Sequence, residues 1–194
     1  MENEGLSAYH LSSNPGLSYE PGRSNFFELI VEGFGDLLRA GVDENLAEES
    51  DYIENAQEVI RLTVNKATVP HFTQEAITIR RGNSVSKYAG APAFSDGTIE
   101  VNDMIGADSK SVLEAWQRLS YDVTTDKAGR AANYKKKATL IEYTADWKQV
   151  RYWDLIGCWV SGLSEEDYNK EQGSEKRVVT ATITYDRAIP HLPD

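Results

Sequence analysis

The sequence predicts a mainly β protein: an antiparallel β-sandwich or barrel of about seven strands with one flanking α-helix. Several short runs alternate apolar and polar residues, one run has helical spacing, and neither a longer repeat nor βαβ alternation occurs. The 194 residues suit one domain with appendages. We expect a flexible N-terminal arm over residues 1–24, a barrel domain over residues 25–189, and a C-terminal tail over residues 190–194.

Period-two alternation locates the strands. The first is rich in β-forming residues and ends at Gly33, and a later one has aromatic side chains on both faces and therefore little free surface. A turn at Arg81-Gly82-Asn83 ends the third. The segment 189–193 contains two prolines and is not expected to continue a sheet. In chain order, the predicted strands cover residues 26–31, 58–69, 77–80, 99–102, 137–143, 150–160 and 178–186.

One segment has the spacing of an amphipathic helix. Val112, Ala115, Trp116 and Leu119 fall at positions i, i+3, i+4 and i+7. Asp108 precedes them as a candidate N-cap. We expect this helix to pack one face against a sheet.

Composition excludes several classes of protein. Acidic residues outnumber basic ones by 31 to 20. The net charge of −11 repels a phosphate backbone and therefore argues against a nucleic-acid-binding protein. No apolar run is long enough to span a membrane, and the first residues lack the pattern of a signal peptide. Cys158 is the only cysteine, so neither an internal disulfide nor a thiolate zinc site is expected.

Nothing in the sequence requires catalysis or a cofactor. Phosphate-binding glycine loops, nucleophile elbows and zinc-protease motifs are all missing from it. Cys158 lies in mid-strand and is expected to be a small buried hydrophobe. Three tryptophans are also assigned to the core: Trp116, Trp153 and Trp159. An alternative is that Tyr152, Trp153 and Trp159 line a ligand pocket, but packing against the helix explains them more simply.

The order of these features resembles the tail tube family of contractile-tailed bacteriophages. The resemblance covers roughly residues 23–189 and is most specific over the helix, the Tyr-Lys-Lys sequence and the two strands of residues 108–160. The chain departs from the family in its long N-terminal arm and in an acidic insertion over residues 36–57. The matching segments are Arg23-Ser24-Asn25-Phe26-Phe27, Lys66-Ala67-Thr68-Val69-Pro70, the helix around Trp116, Asn133-Tyr134-Lys135-Lys136-Lys137-Ala138, and the aromatic strand ending at Trp159.

The resemblance implies a non-enzymatic structural subunit of the virion tail. Two antiparallel sheets with a flanking helix would join edge to edge into hexameric rings, and the rings would stack around a channel for genome delivery. The implied partners are further copies of the chain, the tail sheath, the baseplate and the tail terminator. DNA would pass through the lumen without specific binding, and the acidic composition favours a negative lumen.

Two charged segments are candidate contacts. Tyr134, Lys135, Lys136 and Lys137 match the family and are predicted to contact a subunit or the sheath, although lysines also protect solvated edges. The acidic insertion is either a solvated loop, an inter-ring contact or a lumen belt; a calcium site is least favoured because the EF-hand ligand pattern is missing. Its candidate residues are Asp43, Glu44, Glu48, Glu49, Asp51 and Glu54.

Two other functions remain open at this point. One is an inner tube of a type VI secretion machine, whose fold is similar, or another tail ring protein. The other is a monomeric ligand-binding β-barrel that would use the aromatic strand to line a cavity.

Overall fold

The computed structural model describes residues 24–35, 37–39, 42, 46–104, 109–165 and 176–192. Antiparallel strands dominate them, which confirms the predicted fold class. The strands are β1 (Phe27–Glu32), β2 (Leu37–Leu38), β3 (Tyr52–Ile53), β4 (Val64–Ala67), β5 (Phe72–Arg81), β6 (Ser84–Phe94), β7 (Gly97–Asn102), β8 (Tyr121–Asp122), β9 (Lys127–Ala128), β10 (Lys136–Tyr143), β11 (Gln149–Glu165), β12 (Val178–Thr184) and β13 (Arg187–His191). The helices are a 3-10 turn (Glu49–Asp51), α1 (Ala56–Thr63), α2 (Ser109–Arg118) and α3 (Ala131–Tyr134).

The long strand β11 joins the two halves of the main sheet. That sheet has seven strands, and its path runs β1-β10-β11-β12-β7-β4, with β13 added beside β11. The first half of β11 pairs with β10 and β13, for example Leu140 opposite Trp153. The second half pairs with β12, for example Ala181 opposite Leu163. One continuous strand therefore fixes the position of both halves.

A glycine allows β11 to change partners midway. Gly157 has a φ of +71°, a backbone conformation that favours glycine. A Cβ atom built there would overlap Oδ2 of Asp186. Asp186 in turn accepts hydrogen bonds from Nζ of Lys135, 2.7 Å from each carboxylate oxygen. A glycine, a carboxylate and a lysine from three different segments therefore meet where β11 changes partners.

The hydrophobic core lies between the sheet and the helices α1 and α2. Strand residues of the core face alternate with outward residues, as in β12, where Val179, Ala181 and Ile183 are buried. On α2, Trp116 is buried, packs edge-on against Phe34 at 5.0 Å and donates from Nε1 to the Tyr134 carbonyl at 2.9 Å. The tryptophan thus satisfies its polar atom while it fills the core.

Residues 58–63 form a helix, so the prediction of a strand starting at residue 58 was wrong. Ala56, Ile60 and Thr63 are buried at helical spacing on α1, whereas Leu62 is 71% exposed. Alternating apolar residues at 60, 62 and 64 had favoured a period of two, but only one of them packs into the core from the helix. The strand β4 begins after the helix, at Val64.

The prediction for the C-terminal segment was also wrong. Residues 187–191 form β13, which pairs with β11 and includes Pro190 opposite Trp153. Among the described strands β13 pairs only with β11, so it is an edge strand, where a proline without an N–H group is tolerated.

Most other strand predictions are confirmed, including the first strand, the strand around Ile99 and Val101, and the last long strand at residues 178–184. The predicted helix is confirmed as α2, although α1 makes a second helix of more than one turn. The proposed N-cap Asp108 and most of the N-terminal arm lie outside the described residues. Within the described part, no helix is long and apolar enough to cross a membrane.

The assignment of α1 predicts unequal effects of two substitutions. Ile60→Ala should lower the free energy of unfolding by roughly 2–5 kcal/mol, because it leaves a cavity in the core. Leu62→Ala, two residues away and exposed, should change it by less than about 0.5 kcal/mol. Urea unfolding followed by circular dichroism measures both. Similar losses at the two positions would contradict the helical assignment.

Candidate assembly surfaces

A long β-hairpin protrudes from the main sheet. It consists of β5 and β6 joined by a turn at Gly82 and Asn83, as the sequence predicted. It extends the pairing of β4 with β7, because Thr68 and Ser95 donate backbone hydrogen bonds to the carbonyls of Thr98 and His71. The alternation of Ile77 and Ile79 with Thr78 and Arg80 predicts a half-buried strand, and this prediction was wrong, since nearly every residue of the hairpin is exposed.

The two faces of this hairpin differ in chemistry. Directly paired residues and alternate residues of one strand share a face, so Ile77, Ile79 and Tyr88 lie together and form what we call the apolar face. Nearer the turn, the same face carries Ser86, Arg81 and Ser84. Ile77 is 55% exposed and Tyr88 is 49% exposed. Arg80 and Lys87 lie on the opposite face, beside Thr78 and Val85. An apolar face of this kind is unfavourable in water unless another surface covers it.

An apolar groove opens between the two ends of the main sheet. It has a volume of about 580 Å³ and lies between the start of β1 and the strand β4. Leu140 and Trp153 contribute to its lining from β10 and β11, and the Arg151 guanidinium lies 5.9 Å from the Trp153 ring. We call it the β1–β4 groove. Its walls carry Phe26, Phe27, Asn65, Lys66, Ala67 and Val69.

Both walls of the groove are free strand edges. Among the described strands, β1 pairs only with β10, and β4 pairs only with β7. Free edges present unpaired N–H and C=O groups, which are a template for pairing with another chain. The β1–β4 groove therefore combines apolar lining with available backbone hydrogen-bonding groups.

The second half of the sheet carries hydroxyl groups on its outward face. Strand pairing places Thr182 beside Thr98, and Thr180 beside both Ser164 and Glu100. Lys66 lies on this face and forms a salt bridge with Glu100, with 2.5 Å between Nζ and Oε1. We call this surface the hydroxyl face; besides Lys66, Glu100 and Trp159, which lies opposite Thr184, it carries Thr68, Thr98, Ser164, Thr180, Thr182 and Thr184.

The lysines predicted to contact a subunit or the sheath also contact groups of their own chain. Lys135 binds Asp186, and Lys136 donates to the Gly33 carbonyl at 2.7 Å. Burial lowers the pKa of Lys136. Lys137 is exposed, with its Nζ 3.7 Å from Asp154, and Tyr134 packs against Trp159. A role of these four residues in subunit or sheath contact stays a prediction.

The acidic candidates divide between described and undescribed residues. Asp43 and Glu44 lie outside the described residues. Glu48, Glu49 and Glu54 are exposed, whereas Asp51 is half-buried and accepts a hydrogen bond from the Glu48 amide at 2.9 Å. Among the described residues, no group of three His, Cys, Asp or Glu side chains could hold a metal ion.

The aromatic residues of β11 do not converge on a common pocket. Trp153 is half-buried at the β1–β4 groove, and Trp159 is half-buried against Tyr134. Tyr152 lies on the opposite face from Trp153 and stacks on His191 at 4.6 Å. Trp116 and Cys158 are buried in the core. Burial raises the pKa of the Cys158 thiol to about 12.

Sequence reasoning missed the second strand of the hairpin and the groove. The turn at Gly82 and Asn83, followed by the β-forming residues Val85 and Tyr88, could have identified β6. No local signal could have identified the groove, because its walls are distant in sequence and meet only in the folded chain.

A family model matches most of the chain. The family described as T4-like virus tail tube protein gp19 matches residues 52–188. No curated protein matches the chain by sequence.

Solved structures share the fold at low sequence identity. A chain of the sheath–tube complex of the extracellular contractile injection system PVC, in its extended state, has a TM-score of 0.62 at 15% identity, covering 94% of this chain and 98% of that one. The tube-terminating cap of the anti-feeding prophage has a TM-score of 0.62 at 11% identity, with coverages of 94% and 99%. Hcp1 from Flavobacterium johnsoniae gives 0.47 at 11% identity, with coverages of 87% and 96%.

The burial of Cys158 predicts an unreactive thiol. In the folded protein the thiol should stay protonated well above its ordinary pKa of 9.0, so a thiol reagent at pH 8 should not label it until urea unfolds the chain. Because only the unfolded chain ionises near pH 9, stability should fall as the pH rises above 9. Ser161→Cys, exposed on the same strand, is the matched control and should react in the folded state. Rapid labelling of native Cys158 would contradict its burial.

Proposed function

The chain belongs to the family of T4-like virus tail tube proteins, and from this premise we propose that its copies form rings that stack into the hollow tube of a contractile tail. The single observation that carries the proposal is the exposed β5–β6 hairpin. Its apolar face and free strand edges require cover that the described part of its own chain does not provide. Contact between copies would cover the apolar face and pair the free strand edges.

The geometry favours closed rings over pairs. A two-fold dimer would use one self-complementary patch, whereas this chain carries a protruding hairpin and a separate groove. Contacts between different patches propagate from one copy to the next and close into a ring if the rotation allows it. The family resemblance implies six copies in each ring.

The proposed partners follow from the relatives. Structures with this fold include a chain in a sheath–tube complex, a chain in a baseplate and a tube-terminating cap. We place this chain in the same setting, with the sheath around it and a baseplate and terminator at the two ends. The candidate contacts are Lys137 and the exposed acids Glu48, Glu49 and Glu54.

The hydroxyl face suits the wall of a channel through which DNA passes. It is rich in short threonine and serine side chains, and its lysine is neutralised by Glu100. A wall of this kind offers few cations to the phosphate backbone, so DNA would slide along it without being held. The net charge of −11 adds long-range repulsion.

This placement predicts the orientation of the subunit in an assembled tube. In a tube reconstruction, Thr180, Thr182 and Thr184 should point toward the axis, and the channel surface should have a negative potential. A hydroxyl face turned away from the axis would contradict the placement, and so would a channel with net positive potential.

The proposed function predicts assembly that depends on the hairpin. The purified protein should form rings or tubes with a central hole in negative-stain microscopy. Replacing residues 73–93 by a short Gly/Ser turn should abolish them and leave a folded monomer, because the removed hairpin residues are mostly exposed. Circular dichroism and sedimentation velocity check folding and size.

The control is Val123→Asp at an exposed apolar residue away from the hairpin, which should still assemble. A wild-type protein that remains monomeric at every concentration and salt would contradict the proposed function. Tubes formed by the variant without its hairpin would contradict the role of the hairpin.

A further inference from the structure

We propose that Trp147, in the turn between β10 and β11, is an anchor residue through which one copy of the chain contacts a neighbouring copy. The inference rests on the proposed function and names a residue that carries the contact between copies. Trp147 is 67% exposed. A single exposed apolar side chain is common on protein surfaces, so the inference depends on the backbone that presents this one.

The backbone conformation of Trp147 is unfavourable for a bulky residue. Its φ is +58°, in the left-handed region. Among the described residues, the other non-glycine residues with a positive φ are Asn55 and Asp126, whose short polar side chains tolerate this region. Strained positions of this kind are concentrated at functional sites. The backbone disfavours tryptophan here, so the reason for its presence lies in its side chain.

Hydrogen bonds hold the turn in this conformation. The backbone N–H of Trp147 donates to the Thr144 carbonyl at 3.0 Å, and the N–H of Thr144 donates to the Lys148 carbonyl at 2.8 Å. The Lys148 amide also donates to Oγ1 of Thr144 at 3.1 Å. The turn therefore presents the indole in a fixed position, and a preorganised aromatic side chain loses little conformational entropy on binding.

Contacts within the chain cover only a part of the indole. Its ring meets Phe26 edge-on at 5.6 Å and lies 5.7 Å from the ring of Tyr143, whose hydroxyl donates to Glu28 at 2.8 Å. We call these three rings, Phe26, Tyr143 and Trp147, the aromatic corner. Tryptophan and tyrosine often dominate the binding energy of contacts between proteins. The corner thus offers a supported aromatic side chain with most of its surface still exposed.

The aromatic corner lies where a neighbouring copy is expected. Phe26 belongs both to the corner and to the wall of the β1–β4 groove, beside the edge of β1 that the described strands leave unpaired. A second copy that pairs with this edge would extend past Phe26 and reach the indole. We therefore assign the corner to a second copy of the chain.

The strained backbone separates an anchor residue from a packing residue. Trp147→Asn introduces a residue type that tolerates the left-handed region, so the unassembled subunit should melt within about 2 °C of the wild type. Its tubes should require a roughly tenfold higher protein concentration, because an anchor has been removed. Trp147→Tyr keeps an aromatic side chain and should recover a part of this loss. Calorimetry and sedimentation velocity measure the two effects.

Tryptophan fluorescence reports directly on the indole. Trp116 is buried, and Trp153 and Trp159 are half-buried, so acrylamide should quench mainly Trp147 in the free subunit. Quenching should decrease when tubes form, because a neighbouring copy covers the indole. The matched control, Asp126→Gly, changes another left-handed position, in the turn between β8 and β9, and should assemble like the wild type.

Three results would overturn the inference. They are tube formation by Trp147→Asn at the wild-type concentration, equal quenching in tubes and free subunits, and a Trp147→Asn subunit that melts about 10 °C below the wild type, as expected for a packing residue. If the wild type forms tubes while these predictions fail, the anchor is wrong and the proposed function stands. If the wild type forms no tubes, the proposed function fails and the inference fails with it.

Discussion

The structure depends on one requirement: β-strands that project beyond the hydrophobic core must find a partner. The β5–β6 hairpin extends from β4 and β7 past the last core residues, so its apolar face and its outer edges are left in water. The same sheet ends in two free edges that flank an apolar groove. A second copy would satisfy both needs, and this is the physical basis of the assembly that we propose.

The shared strand β11 keeps these surfaces in a fixed relation. Its first half supports the groove lining through Trp153, and its second half supports the hydroxyl face through β12. Gly157, with Asp186 and Lys135 beside it, lies where β11 changes from one pair of partner strands to the next. Because one backbone connects the groove to the hydroxyl face, the two surfaces keep the same relation in every copy.

Sequence patterns predicted the fold where one residue face is buried in the core. The alternation of Val179, Ala181 and Ile183 located β12, and the spacing of Val112 and Trp116 located α2. Prediction failed at Ile60 and Leu62, where the apolar pattern fits both a helix and a strand. It also failed at β13, because an edge strand accepts the proline that was expected to end the sheet. The exposure of the hairpin and the existence of the groove depend on long-range packing, which no local pattern encodes.

Hydrogen exchange tests the central claim most directly, because it reports whether the hairpin gains a partner on assembly. Amide exchange of residues 72–94 should be fast in the monomer and slow strongly in the assembled tube, together with that of β1 and β4 at the groove walls. Exchange in the buried strand β12 should change little, which provides an internal reference. If the hairpin exchanges at the same rate in tubes as in monomers, it is not the element that joins the copies, and the account is wrong.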